Sequence, residues 1–72
     1  MIKKTGIIKW ISDDGIVWIS KNKNANPEFI CDKTELDKYI RIGSKVIFDI
    51  DNHYFNIKIA ANVKKYNNKR SY

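Results

Sequence analysis

The sequence predicts an all-β domain: a small closed barrel of five antiparallel strands. Five short segments rich in β-branched and aromatic residues alternate apolar with polar positions, and turn signals separate them. The chain has 72 residues, room for one domain, and a domain this small buries only about 60% of the surface its unfolded chain exposes. Closure removes the strand edges that a sandwich of the same size would keep.

The elements follow in order. Ile2 to Ile11 reads as one long strand, kinked at Gly6. Asp13-Asp14-Gly15 then sets up a turn, because glycine reaches positive φ without steric cost. Gly15 to Ser20 is the second strand. Its period of two sends Val17 and Ile19 to one face and Ile16 and Trp18 to the other, beside Trp10. Lys21 to Pro27 is a polar, basic loop. Glu28 to Asp32 is a short third strand, expected to turn Ile30 inward and Phe29 and Cys31 outward. Lys33 to Tyr39 has room for a helical turn or two, with Thr34 as cap and Asp37 in the first turn. Ile42-Gly43-Ser44 reads as a turn.

Lys45 to Asp51 alternates with Val46, Phe48 and Ile50 on one face and Ile47, Asp49 and Asp51 toward solvent. Asp51-Asn52-His53 reads as a turn. Tyr54 to Lys65 alternates again, with Ile57, Ile59, Ala61 and Val63 on the apolar side. The barrel is expected over residues 1–66, and 67–72 as a basic tail that frays. The expected core is Ile8, Val17, Ile19, Ile30, Val46, Phe48, Ile50, Ile59, Ala61 and Val63.

Charge and cysteine content narrow the function. The net charge is +6, from 14 Lys and Arg against 8 Asp and Glu. This favours an anionic partner such as nucleic acid, through phosphate contacts and counterion release. The single cysteine, Cys31, forms no intrachain disulfide, which suits a reducing compartment; the expected location is the cytoplasm. No apolar run reaches the roughly 18 residues of a membrane span. The one histidine, His53, lies in an expected turn, and no nucleophile–base set can be assembled around Cys31. A binding module is expected rather than an enzyme, with no cofactor and no metal.

Several stretches resemble the cold-shock domain family. Gly6-Ile7-Ile8-Lys9-Trp10-Ile11 is similar to its first strand, Gly-x-Val-Lys-Trp-Phe. Asp14-Gly15-Ile16-Val17-Trp18-Ile19 stands where the family has Lys-Gly-Phe-Gly-Phe-Ile. Glu28-Phe29-Ile30-Cys31 stands at its Val-Phe-Val-His motif, and Leu36 fits the turn that follows. Gly43 to Ile50 resembles the Gly-x-x-Val-x-Phe-x-Val strand, and Ala60-Ala61-Asn62-Val63 the closing Ala-x-Asn-Val. The likeness runs from about Thr5 to Lys64, in order and at near-family spacing.

The resemblance implies a five-stranded oligonucleotide-binding (OB) barrel that binds single-stranded RNA or DNA with low sequence specificity, in the manner of an RNA chaperone. Trp10, Trp18 and Phe29 would stack on bases and Lys9 would contact phosphate. Stacking contributes about 1–3 kcal/mol per base, with little dependence on which base. Lys21 and Lys23, in the loop beside the platform, and Lys58 could neutralise phosphates as well. Lys64, Lys65, Lys69 and Arg70 could add affinity without order. The chain departs from the family pattern at Asp14 (Lys in the family), Ile16 (aromatic), Cys31 (His) and Asp32 (often aromatic). These departures carry the alternative: a barrel that has lost most nucleic-acid binding and uses its Ile16/Trp18/Phe29 face for a protein partner or a homodimer.

Overall fold

In a computed structural model, which describes residues 3–54 and 57–66, five strands are formed: β1 (Lys3–Ile11), β2 (Ile16–Ser20), β3 (Phe29–Asp32), β4 (Lys45–Tyr54) and β5 (Ile57–Lys65). They close into an OB-like barrel in the order β1-β2-β3-β5-β4, with β4 paired back to β1. An odd number of strands cannot alternate direction all the way round a ring, so at least one neighbouring pair must be parallel. That pair is β3–β5, where Phe29 faces Lys58 and Ile30 faces Ile59. The remaining seams are antiparallel, as expected. No helix among the described residues is long and apolar enough to cross a membrane.

Gly6 is where β1 changes partners. Ile7 pairs with Ser20 of β2 on one side and Lys45 of β4 on the other, and the residues before it pair with β4 alone. A Cβ at Gly6 would lie 2.6 Å from the Ser20 carbonyl oxygen and 2.7 Å from Ile19 Cγ2. Only glycine lets the strands cross this closely.

The β1–β2 turn forms as its sequence predicts. Gly15 has φ +91° and donates its N–H to the Ser12 carbonyl at 3.1 Å. The Ser12 N–H donates to the Ile16 carbonyl at 2.8 Å, which closes the hairpin. After β3 the chain makes a 3-10 turn over Lys33–Glu35. Its cap is Asp32 rather than Thr34: the Thr34 N–H donates to Asp32 Oδ1 at 2.9 Å. Asp37 serves a second turn by accepting from the Tyr39 N–H at 3.1 Å. Residues 51–53 continue β4 instead of turning.

Ile8, Val17, Ile19, Val46, Phe48 and Val63 are buried as expected. Phe29, Cys31, Ile40 and Ala60 complete the core in place of Ile30, Ile59 and Ala61, which are half-buried. Ile50 packs against the core from its edge. The side chain of Ile57 and the tail, with Lys69 and Arg70, lie outside the described residues.

The substitution in β3 follows from pairing. Val17 faces Cys31 and Ile19 faces Phe29. Directly paired residues of antiparallel strands share a sheet face. With Val17 and Ile19 inside, Phe29 and Cys31 must be inside as well. The outward placement expected for them is corrected. The Phe29 ring meets Phe48 edge-on, with centroids 4.9 Å apart, a favourable aromatic geometry.

The substitution in β5 follows from a bulge. Between the pairs Ile47–Lys64 and Asp49–Ala61, β5 spends one more residue than β4. Asn62 lies within this bulge at φ +54°, in the left-handed region that Asn tolerates better than most residues. The extra residue reverses the alternation, so Val63 and Ala60 both face inward. Asp49, expected in solvent, is only 7% exposed. Its carboxylate accepts from Asn62 Nδ2 at 3.0 Å and from Lys3 Nζ at 3.1 Å. The hydrogen bond from Asn62 first, and then the one from Lys3, hold its pKa below the ordinary carboxylate value.

Candidate functional site

A second bulge builds the outward face. In the β1–β2 ladder Ile8 faces Ile19, but Trp10 rather than Lys9 faces Trp18. Lys9 is the extra residue. Strict alternation would send Trp10 to the same side as the buried Ile8; the bulge reverses it. Trp10 therefore emerges beside Trp18 and is 61% exposed. Ile11, opposite Val17, packs against the core.

On β2, Trp18 is half-buried between its two neighbours, Trp10 on β1 and Ile30 on β3. Two rows of the wall thus present Trp10–Trp18–Ile30, with Ile16 opposite Asp32 at the next outward position. Phe29, expected here as a stacking residue and as part of a partner-binding face, is 2% exposed and belongs to the core. Ile30 takes its place on the surface.

The lysines divide into two groups. Lys9 leans toward the β2–β3 loop, and its Nζ donates to the Lys23 carbonyl at 2.7 Å. Lys23 itself is exposed. Lys9 directly precedes Trp10 in β1. Lys21 and Lys58 instead share Glu28, at 3.9 and 3.4 Å from its carboxylate oxygens. Lys58 Nζ also lies 5.7 Å from the centre of the Phe29 ring. Sequence reasoning gave all four lysines one role; the fold separates them.

Two departures from the family pattern have local explanations. Asp32 spends its carboxylate on capping, accepting from both the N–H and the hydroxyl of Thr34. These bonds lower its pKa. Asp14 is engaged at the hairpin, where its carboxylate accepts from the Ser12 hydroxyl. Cys31 is buried, and burial, with Glu35 and Asp32 nearby, pushes its thiol up to about 12. It stays protonated at neutral pH and acts in packing. Among the described residues no group of three or more His, Cys, Asp or Glu side chains gathers as a metal site would require. Neither a scan of protein-family models nor a search of curated proteins finds a match to this chain.

Proposed function

We propose that this protein binds unpaired RNA or DNA strands with low sequence specificity, by stacking bases on Trp10 and Trp18. The observation that carries the reading is the cross-strand pair itself. A bulge in β1 brings two indoles to one outward face, the more exposed of them at 61%. The exposed indole surface gains free energy when an apolar or aromatic ligand covers it. Lys9, next to Trp10 in β1, and the exposed Lys23 of the loop it reaches supply positive charge for a strand's phosphates. Binding only the open strand would melt paired RNA by mass action.

The resemblance to the cold-shock domain family supports the same reading with one adjustment. In the paired register Phe29-Ile30-Cys31-Asp32 takes the in-out-in-out order of the family's second motif, one residue later than Glu28-Phe29-Ile30-Cys31. An aliphatic side chain then stands where the family stacks an aromatic. The retained stacking rests on two rings, and the affinity should be correspondingly modest.

The test is a tryptophan-fluorescence titration with oligo-dT and oligo-U of about seven nucleotides, within the site size of one OB barrel. Quenching at micromolar strand that weakens as salt rises and is lost in Trp18→Ala is expected. No quenching at high micromolar strand overturns the proposal. A dimer by light scattering, together with that negative result, would instead assign the Ile16/Trp18/Ile30 face to a second copy.

A further inference from the structure

A separate feature lies where β2 ends and β3 and β5 begin. Before Gly6, β1 has left β2, and Lys3 to Gly6 pair with Asp49 to Val46 of β4. The parting opens a groove of about 520 Å³. Lys3 and Lys4 line it from β1, Phe29 and Lys58 from β3 and β5, and Lys21 and Glu28 from the ends of the β2–β3 loop. Four of these side chains are cationic and one is anionic.

The anion is loosely held. Glu28 divides its carboxylate between Lys58 at 3.4 Å and Lys21 at 3.9 Å. Both distances exceed the roughly 2.7–2.9 Å of a strong charge-assisted hydrogen bond. Lys3 is occupied by Asp49 at 3.1 Å. Lys4 is exposed and makes no ion pair among the described residues. A concave surface with surplus ammonium groups and a weakly bound carboxylate of its own suits an incoming tetrahedral oxyanion, which offers more acceptor oxygens than Glu28 does.

We infer that this groove binds phosphate groups and that Glu28 is the resting counter-ion which phosphate displaces. The inference rests on the proposed function for the source of the phosphate: the backbone of a strand that passes from Trp18 along β2 to Lys21, about 10 Å away at the rise of a β-strand. A free oligophosphate would present the same chemistry.

The experiment follows amide and indole NMR signals of the whole protein at low salt. The probes are inorganic tripolyphosphate and oligo-dT of about four and about twelve nucleotides, spanning the site sizes of single OB barrels. Tripolyphosphate is expected to move the Lys4, Lys21 and Lys58 amides and leave the Trp10 and Trp18 indoles still. Glu28→Gln is expected to bind it about two- to fivefold tighter and Lys58→Gln about two- to fivefold weaker, the range of an exposed ion pair. A structural role for Glu28 would not produce the gain. The longer strand should move groove and indoles together, the shorter one the indoles alone. Groove amides that respond to tripolyphosphate but not to the longer strand would assign the site to free oligophosphate. Groove amides unmoved by both probes, or no tightening in Glu28→Gln, overturn the inference. Indoles unmoved by both strands overturn the proposed function instead, and the tripolyphosphate arm still decides the groove.

Discussion

The β2–β3 ladder and the β4–β5 ladder answer the same side-chain alternation in different ways. In the first, four consecutive pairs run without interruption from Ile16–Asp32 to Ile19–Phe29. Inside and outside pass unchanged from one strand to the next. In the second, the register shifts twice, between Ile47 and Asp49 and between Ile50 and Asn52. Alternation there holds only in stretches: Ala60 and Val63 both face the core, while Asp49, paired with Lys3 and Ala61, is covered on the outer face. Pairing carries a strand's phase to its neighbour only where no extra residue intervenes. The β1–β2 ladder has one such residue, Lys9, and that residue makes the candidate site.

The comparison can be broken most severely at Phe29. If its ring is core, Phe29→Ala should lower the unfolding free energy by about 3–5 kcal/mol, read from urea denaturation. A loss of strand binding with unchanged stability would instead put the ring on the surface and reverse the phase of β3. Its outward counterparts should behave in the opposite way. Trp10→Ala and Trp18→Ala should each weaken binding by about 1–3 kcal/mol, and for the exposed Trp10 the melting temperature should barely move. A large stability loss in Trp10→Ala would mean that the β1 bulge does not turn it outward.

The β5 bulge is tested by Asn62→Ala. Alanine in the left-handed region costs about 1–2 kcal/mol, and the variant also removes a hydrogen bond to Asp49. The pH dependence sharpens this. Asp49 has a lowered pKa when folded, so its contribution is fully present above the ordinary carboxylate value of 3.8. It disappears as the pH falls through the lower folded value. Asn62→Ala should therefore destabilise the protein more at neutral pH than in acid, where Asp49 is protonated in both; a destabilisation independent of pH would show that Asn62 does not hold the carboxylate. The smallest effect is expected at the β1 bulge. Lys9→Gln should keep quenching by strand but make log affinity less steep in log salt, by about 0.7 for each phosphate that Lys9 neutralises in the parent. An unchanged slope would remove Lys9 from the interface.

Much of this fold was legible in the residues. The Asp-Gly turn, the need for glycine at position 6, the five apolar runs and six of the core side chains follow from local chemistry and short-range periodicity. The lysines and the two tryptophans were legible as candidates by type. The misplacement of Phe29 had a recoverable signal: Cys31 and Phe29 are the apolar pair of β3 that Val17 and Ile19 would demand as partners in the hairpin. A four-residue strand with apolar side chains on both faces cannot settle its own phase. Asp32 likewise carried a sign, since an Asp two residues before a Thr N–H is a common cap.

What the sequence determined by itself was therefore the number and kind of elements, the turns and the overall charge, because each depends on neighbours a few positions away. Only the tertiary structure decided which face each side chain occupies beyond a bulge, the parallel β3–β5 seam, the pairing of Lys58 with Glu28 across it, and the burial of Asp49. Each of these depends on one extra residue in a ladder or on the closing of a ring of odd strand number. Such features leave local periodicity intact on either side and are fixed only when distant strands meet.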